Sequence, residues 1–132
     1  MKTLTQTIIL LLISTMLNGQ DLAGKWSGTL SVQGTQLKIV FHVSKINNQY
    51  EATFDSPDQN MTDAKVTAIT VAYPNVKLEM AGIAAVYEGT MSDKGITGKW
   101  VQSGTALFLV LVKSEEVQFL NILVQIVFTK FG

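Results

Sequence analysis

QLKIVFHVS, residues 36–44, is the stretch that decides the fold of this chain. Its apolar residues recur at every second position: Leu37, Ile39, Phe41 and Val43. Successive side chains of an extended strand point to opposite faces, so these residues share one face while Lys38 and His42 lie on the other. The stretch therefore predicts a strand with one face buried and one face in solvent.

The segment before this stretch has the same period. Trp26, Leu30 and Val32 face away from the lysine, serine and threonine side chains that alternate with them. Gln33-Gly34 separates the two runs and supplies a short turn. The two runs together predict a β-hairpin.

The alternation continues after the turn-forming pair Asn47-Asn48. Three further positions repeat the period: Tyr50, Ala52 and Phe54. Residues 55–58, DSPD, end this strand, because proline cannot donate a hydrogen bond to a neighbouring strand. A polar loop is expected from there through Asp63.

More strands follow at short, regular intervals. They are expected at residues 66–73, 76–80, 87–91, 96–101 and 106–113, between turns at 74–75, 82 and 92–95. About eight short strands with no convincing helix between them favour an antiparallel meander over alternating strands and helices. The predicted fold class is all-β, a meander that forms a lipocalin-like barrel or a β-sandwich, because either removes most of the exposed strand edge.

A glycine-lysine-tryptophan motif occurs twice in this series of strands. Gly24-Lys25-Trp26 opens the first strand and Gly98-Lys99-Trp100 lies in the seventh, which is too few matches for a repeat architecture. A tryptophan after a glycine in the first strand is similar to the opening of lipocalin-like barrels, where the ring plugs one end of the core. By analogy, Trp26 is expected to plug one end of this core.

The N-terminal residues differ in character from the strands. Lys2, the apolar run 8–13 and the polar residues 18–21 around Gly19 are typical of a secretory signal peptide over residues 1–19. The protein is then exported, to the periplasm or the extracellular space. No membrane span is expected after signal removal, because a bilayer crossing needs about 20 apolar residues. The β domain occupies residues 20–113.

The C-terminal tail, residues 114–132, is strongly apolar. Its even-numbered positions fit a strand: Leu120, Ile122, Val124, Ile126 and Phe128. Four positions fit a helix equally well: Leu120, Leu123, Val124 and Val127. The tail is expected to be an extra strand or the truncated remnant of a longer chain.

Composition excludes several functions. The chain has no cysteine, so neither a disulfide nor a lipid-modified cysteine is available to it. Its ten basic residues are all lysines, balanced by ten acidic residues. A neutral chain without arginine is not typical of nucleic-acid binding, so no nucleic-acid partner is expected. Phosphate-cradling glycine motifs are also missing, and no cofactor is expected.

The residues do not predict catalysis or metal binding. The only histidine, His42, is interpreted as a surface histidine, and no Gly-x-Ser-x-Gly turn is present. One histidine without cysteines does not make a zinc site. Asp55, Asp58 and Asp63 surround one loop but lack the spacing of a calcium-binding loop, so turn and capping roles are expected. Nothing in the sequence brings Asp55 close to Glu88, the pair that a glycosidase would need.

Candidate ligand contacts are aromatic and acidic side chains of the strands and their loop. They are Trp26, Phe41, Tyr50, Asp55, Asp58 and Trp100. Phe108 joins the tryptophans and Tyr50 as an aromatic residue able to line a pocket, although filling the core is the default for such residues.

Four motifs carry a resemblance to a known family: GKWSGTL at 24–30, LKIVFHV at 37–43, DSPDQ at 55–59 and YEGT at 87–90. Over residues 21–113 the chain resembles the N-terminal accessory β domain of secreted bacterial α/β-hydrolases of the serine esterase and peptidase type. In that family the catalytic triad belongs to the following domain. The resemblance implies a non-catalytic module, not an enzyme, whose partner is a hydrolase domain or its substrate.

Three hypotheses follow. The leading one is a secreted, non-catalytic domain that acts by protein or substrate contact. The alternative is a lipocalin-like carrier in which the interior behind Trp26 and Phe41 stays open for a small apolar ligand. The third is a translated remnant with no function of its own.

Overall fold

The computed structural model describes residues 21–114, 123 and 125–130. Residues 21–114 form nine strands: β1 (Gly24–Val32), β2 (Thr35–Ile46), β3 (Gln49–Ser56), β4 (Met61–Lys65), β5 (Ala68–Ala72), β6 (Asn75–Met80), β7 (Ala85–Ser92), β8 (Gly95–Gln102) and β9 (Thr105–Lys113). Two short 3-10 turns, Pro57–Gln59 and Ala81–Ile83, follow β3 and β6. The expected signal peptide, residues 1–19, lies outside the described residues.

All nine strands belong to one antiparallel sheet in the order β4-β3-β2-β1-β9-β8-β7-β6-β5. Sequence neighbours pair with two exceptions: β4 does not pair with β5, and β9 returns to pair with β1, where Trp26 lies opposite Lys113. The prediction of an antiparallel meander is confirmed. The single sheet is strongly curled into a barrel-like form, so it is not a sandwich of two sheets.

The two edge strands of the sheet, β4 and β5, are adjacent in sequence. Eight antiparallel steps separate them in the sheet, so they run in the same direction and are linked by Val66-Thr67. The Val66 N–H donates to Ala52 O on β3 at 3.1 Å, and the Thr67 N–H donates to Glu79 O on β6 at 2.7 Å. This link therefore bridges the seam between the edges and bonds to both sides of it.

Sequence reasoning missed one strand at this seam. Residues 61–63 were expected to belong to a polar loop, but β4 begins at Met61 and pairs with Ser56 on β3. The pairing shifts register between Phe54 and Ser56, which lets the chain turn through Pro57–Gln59 and return alongside β3. Polar side chains suit β4 because an edge strand with only one neighbour faces solvent.

Aromatic rings fill the middle of the curled sheet. Phe41 is fully buried, and its ring centroid lies 5.9 Å from that of Phe54, 6.2 Å from Tyr87 and 6.4 Å from Trp100. The Tyr87 hydroxyl donates to Leu109 O at 2.8 Å, so its one polar group is partnered within the core. The expected inward face of residues 36–44 is confirmed, since Ile39, Phe41 and Val43 are all buried.

Neighbouring backbones approach closely at several glycines of the sheet, including Gly28 and Gly98. A Cβ on Gly98 would lie 2.2 Å from Glu88 O, and one on Gly28 would lie 2.3 Å from Val110 O. Both distances are far inside van der Waals contact. No other residue fits there without moving a strand, which gives these glycines a packing role.

The described part of the tail is helical. Residues 123 and 125–130 have helical geometry, and the Thr129 hydroxyl donates to Gln125 O at 2.8 Å. The alternative of an extra strand is therefore wrong for these residues, including Ile126 and Phe128, whose side chains are exposed. Within the described residues no helix has the length and apolar character to cross a membrane.

Candidate ligand-binding site

One end of the curled sheet is closed by Trp26. Its side chain is 4% exposed and its indole N–H donates to Leu22 O at 2.7 Å, with Leu22 itself buried beneath it. The Nζ atom of Lys113 lies 5.6 Å from the centroid of the indole ring. The indole is thus covered on one side by core and on the other by a lysine side chain.

Tyr50 is held at the same end by a side-chain hydrogen bond. Its hydroxyl donates to Asp21 Oδ1 at 2.5 Å, and the same oxygen accepts the Ala23 N–H at 3.1 Å. These two hydrogen bonds lower the pKa of Asp21. Burial, followed by the hydrogen bond to Asp21, raises the pKa of Tyr50. The Tyr50 hydroxyl is therefore bonded within the protein, and Tyr50 also lines a second cavity, of about 500 Å³, beside the Val66-Thr67 link.

The opposite end is open. A cavity of about 470 Å³ lies between the β1–β2 hairpin, the β8–β9 hairpin and the two 3-10 turns. Its inner wall consists of the buried side chains Leu30, Ile39, Phe54 and Trp100. Five half-buried aliphatic side chains line it nearer to solvent: Val32, Leu37, Met61, Ile83 and Leu107. These side chains point inward yet remain partly in contact with water.

Neutral polar groups surround this apolar wall. They are Gln33, Gln59, Gln102, Ser103 and Thr105. Gln102 is held at both ends of its amide, because Oε1 accepts the Trp100 indole N–H at 3.1 Å and Nε2 donates to Ile83 O at 2.9 Å. The same amide fixes the ring of Trp100 in the wall. Among the described residues that line the cavity, none carries an ionisable side chain.

Ser56 supplies an unusual group to this cavity. It continues the inward face of β3 after Ala52 and Phe54, and it is only 1% exposed. Its Oγ atom has no hydrogen-bond partner in the protein, the single such buried side-chain atom among the described residues. A buried hydroxyl without a partner costs about 1–3 kcal/mol, and Ser56 lies in the lining of this cavity.

The acidic loop residues have structural roles. Asp55 Oδ1 accepts the Asp63 N–H at 2.8 Å, and Asp58 Oδ2 accepts the Lys38 N–H at 2.9 Å. Asp55 thus bonds within its own loop, as predicted, whereas Asp58 bonds to β2 and no side chain caps the turn Pro57–Gln59. Among the described residues, no group of three or more histidine, cysteine or acidic side chains is placed to hold a metal ion.

His42 has a partner that sequence reasoning missed. Its side chain is 41% exposed, as expected for a surface histidine, and Nε2 lies 2.8 Å from Asp55 Oδ2. The pKa of Asp55 is lowered, first by the hydrogen bond from the Asp63 N–H and then by the one to His42. Glu88, in contrast, lies on β7 opposite Lys77, on a strand not adjacent to β3. The structure therefore does not pair Asp55 with Glu88 on neighbouring strands.

Of the six candidate ligand contacts, only Trp100 lines the open-end cavity. The prediction of an open space behind Trp26 and Phe41 is wrong. Aromatic side chains fill the interior at Phe41, and Trp26 closes the end. Phe108 is not in the core either, since it is 75% exposed on the outer face. The missed residue is Ser56, which period-two alternation from Phe54 already placed on the inward face.

The outer face of β9 carries an apolar stripe, defined by Phe108, Val110 and Val112. These side chains alternate with the buried Leu109 and Leu111, so the stripe follows directly from the pleat of a strand that is apolar on both faces. Lys99 Nζ lies 5.3 Å from the centroid of the Phe108 ring and covers part of it.

The chain was also compared with known proteins. No protein-family model matches it, and no curated protein and no solved structure shows significant similarity to it. The resemblance of its motifs to a hydrolase accessory domain therefore stays a prediction. The geometry of the open end is the observation from which a function follows.

Proposed function

We propose that this protein is a non-catalytic β domain that binds a small apolar molecule in its open-end cavity. One observation carries the proposal: the cavity of about 470 Å³ is lined by aliphatic and aromatic side chains and contains one buried, unpartnered hydroxyl. Ligand cavities typically measure about 300–1,000 Å³ and combine an apolar lining with a few convergent polar groups. Both features are present here.

The energetics favour an apolar ligand. Val32, Leu37 and Leu107 are half-buried, so a ligand that covers them removes their remaining apolar surface from water. Each 100 Å² of apolar surface removed contributes about 2.5 kcal/mol. The filled aromatic core around Phe41 limits the ligand to the end of the molecule, so we expect a small molecule rather than a long buried chain.

Binding of a neutral apolar dye tests this proposal. We expect N-phenyl-1-naphthylamine to bind the purified domain saturably and one to one, with an increase in dye emission. Leu107→Trp should weaken binding strongly, because Leu107 lines the cavity and the larger side chain occupies part of it. Val101→Trp is the matched control, since Val101 is on β8 near the same end but exposed on the outer face. A wild-type domain that binds no dye, or equal binding by Leu107→Trp, contradicts the proposal.

A second candidate function is contact with another protein through the apolar stripe on β9. The exposure of Phe108, Val110 and Val112 favours it, because exposed apolar patches on a soluble surface commonly mark interaction sites. The resemblance to the accessory domain suggests an α/β-hydrolase as the partner. This role needs no cavity, so the two candidates can be tested independently.

Site-specific photo-crosslinking in the producing cells tests the second candidate. A photoreactive residue at position 108 should give an adduct that mass spectrometry identifies as an α/β-hydrolase. The matched control is position 29, since Thr29 is exposed on the outer face of β1. No adduct from position 108, or the same adducts from both positions, contradicts it.

Either function would operate outside the cytoplasm if residues 1–19 act as a signal peptide. The expected exported product begins near Gln20. N-terminal sequencing of the protein from the periplasmic and secreted fractions checks this, and a chain that begins at Met1 in those fractions contradicts cleavage.

A further inference from the structure

We infer that the cavity at the open end selects an uncharged ligand, an aliphatic chain with a neutral hydrogen-bonding group that bonds to Ser56 Oγ. An alcohol or an ester is a ligand of this class. The inference rests on the proposed function and adds the class of ligand to it. Apolar cavities that bind carboxylates differ in their polar residues from those that bind neutral chains.

The absence of an ionisable side chain from the described cavity lining argues against a charged ligand. A carboxylate that enters an apolar site must lose its hydration, and that loss is tolerated only where a cation or several donors replace the water. The amide of Gln102 offers only one free N–H, since Nε2 already donates to Ile83 O and Oε1 accepts the Trp100 N–H. A neutral polar group loses far less free energy on the same transfer, and one hydrogen bond offsets most of the loss.

The charges closest in sequence to the cavity also disfavour an anion. Asp58 is in the same 3-10 turn as Gln59, which lines the cavity, and its carboxylate accepts the Lys38 N–H. The Lys38 side chain is on the opposite face of β2 from Leu37 and is exposed. The negative charge is therefore at the rim, while the nearby lysine extends away from it.

Ser56 is the buried polar side chain of the described lining, so it sets the position of the ligand's buried polar contact. Its hydroxyl both donates and accepts, so it bonds equally well to an alcohol or a carbonyl oxygen. Its neighbours in the lining, Phe54 and Met61, have no hydrogen-bonding side chain, and the Trp100 N–H is already bonded. The other neutral polar groups of the lining are exposed to solvent: Gln33, Gln59, Ser103 and Thr105. One neutral polar group at one point on an otherwise apolar ligand matches this arrangement.

Competition between 1-decanol and decanoate for the bound dye tests the inference, because the two probes differ only at the head group. At pH 7.5 we expect 1-decanol to displace N-phenyl-1-naphthylamine at least tenfold more effectively than decanoate. Ser56→Ala should weaken 1-decanol about fivefold to tenfold, the loss of one hydrogen bond worth about 1–1.4 kcal/mol. Decane, which has no polar group, should bind Ser56→Ala and the wild type equally.

Ser31→Ala is the matched control, because Ser31 is near the same end of the sheet but exposed on the outer face of β1. It should leave all affinities unchanged. Equal competition by 1-decanol and decanoate, or an unchanged affinity of Ser56→Ala for 1-decanol, overturns the inference while dye binding still supports the proposed function. A wild-type domain that does not bind the dye overturns both.

Discussion

The two ends of the curled sheet are built in opposite ways. At the closed end, Trp26 is buried and its indole N–H is bonded, and the polar pair Asp21 and Tyr50 is joined by a short hydrogen bond. At the open end, aliphatic side chains remain half in water, and Ser56 keeps a buried hydroxyl without a partner. The closed end thus pairs its polar groups and stabilises the fold. The open end keeps exposed apolar surface and an unpartnered hydroxyl, as expected of a binding site.

The largest expected difference between the ends is in the cost of truncation. Trp26→Ala should lower the free energy of unfolding by about 3–5 kcal/mol, because it removes a large buried ring and leaves a cavity. Leu107→Ala at the open end should cost about 1 kcal/mol, since its side chain is already half in water. Urea unfolding monitored by far-UV circular dichroism measures both. A similar loss at the two positions would mean that the ends do not differ in packing.

The contrast also shows what the sequence can predict. The inward faces of β1, β2 and β3 follow from strict alternation, so Trp26, Phe41 and Phe54 were placed correctly in the core. Alternation determines which face of the sheet a residue lies on, but not how close the residue lies to the closed or the open end. Whether an inward residue meets packed side chains or an open end depends on register and closure, which are non-local.

The site residues illustrate this limit. Trp26 and Trp100 follow the same glycine-lysine pair, yet one seals an end and the other lines a cavity. Ser56 was assigned to a turn because Pro57 follows it, although its position two residues after Phe54 already put it on the inward face. β4 was missed because its polar residues carry no buried face and its pairing with β3 includes a register shift.

Removal of a side-chain hydroxyl should change the free energy of unfolding in opposite directions, depending on whether the hydroxyl has hydrogen-bond partners. Ser56→Ala should raise the free energy of unfolding by about 1 kcal/mol, because it removes a buried polar group that bonds to nothing in the protein. Thr67→Val should lower it by about 1–2 kcal/mol, since the Thr67 hydroxyl donates to Glu79 O and accepts the Ala81 N–H. Thermal unfolding of both variants without ligand measures these changes. Destabilisation by Ser56→Ala would indicate that its hydroxyl already has a partner.

The third prediction concerns Asp55, which lies one residue before Ser56 on the outer face. Its pKa is below the ordinary value of 3.8, so it stabilises the folded protein above that pH and loses this contribution as the pH falls through the lowered pKa. Asp55→Ala should therefore cost about 1 kcal/mol at pH 7 and much less near pH 2. Urea unfolding across this pH range measures the difference.

Asp55→Asn separates the two hydrogen bonds of this carboxylate from its charge. The amide oxygen still accepts the Asp63 N–H, the first cause of the lowered pKa, so a smaller loss than that of Asp55→Ala is expected. A cost for Asp55→Ala that is the same at pH 2 and pH 7 would show that the charge of Asp55 contributes nothing.

The smallest expected effect is at the closed end, in the hydrogen bond between Tyr50 and Asp21. Tyr50→Phe should cost less than about 1 kcal/mol, because Asp21 is exposed and solvent weakens the bond. The pKa of Asp21 should rise toward 3.8 in this variant, since Tyr50 is the first cause of its lowering, and NMR titration of the carboxyl carbon measures it.

The pKa of Tyr50 is raised, so Tyr50 affects stability at high pH. Its contribution to the free energy of unfolding is present below pH 10.0 and is lost as the pH rises through the raised pKa. Tyr50→Phe should therefore reduce the pH dependence of stability on both the acid and the alkaline side, and an unchanged Asp21 titration would show that this bond does not hold in solution.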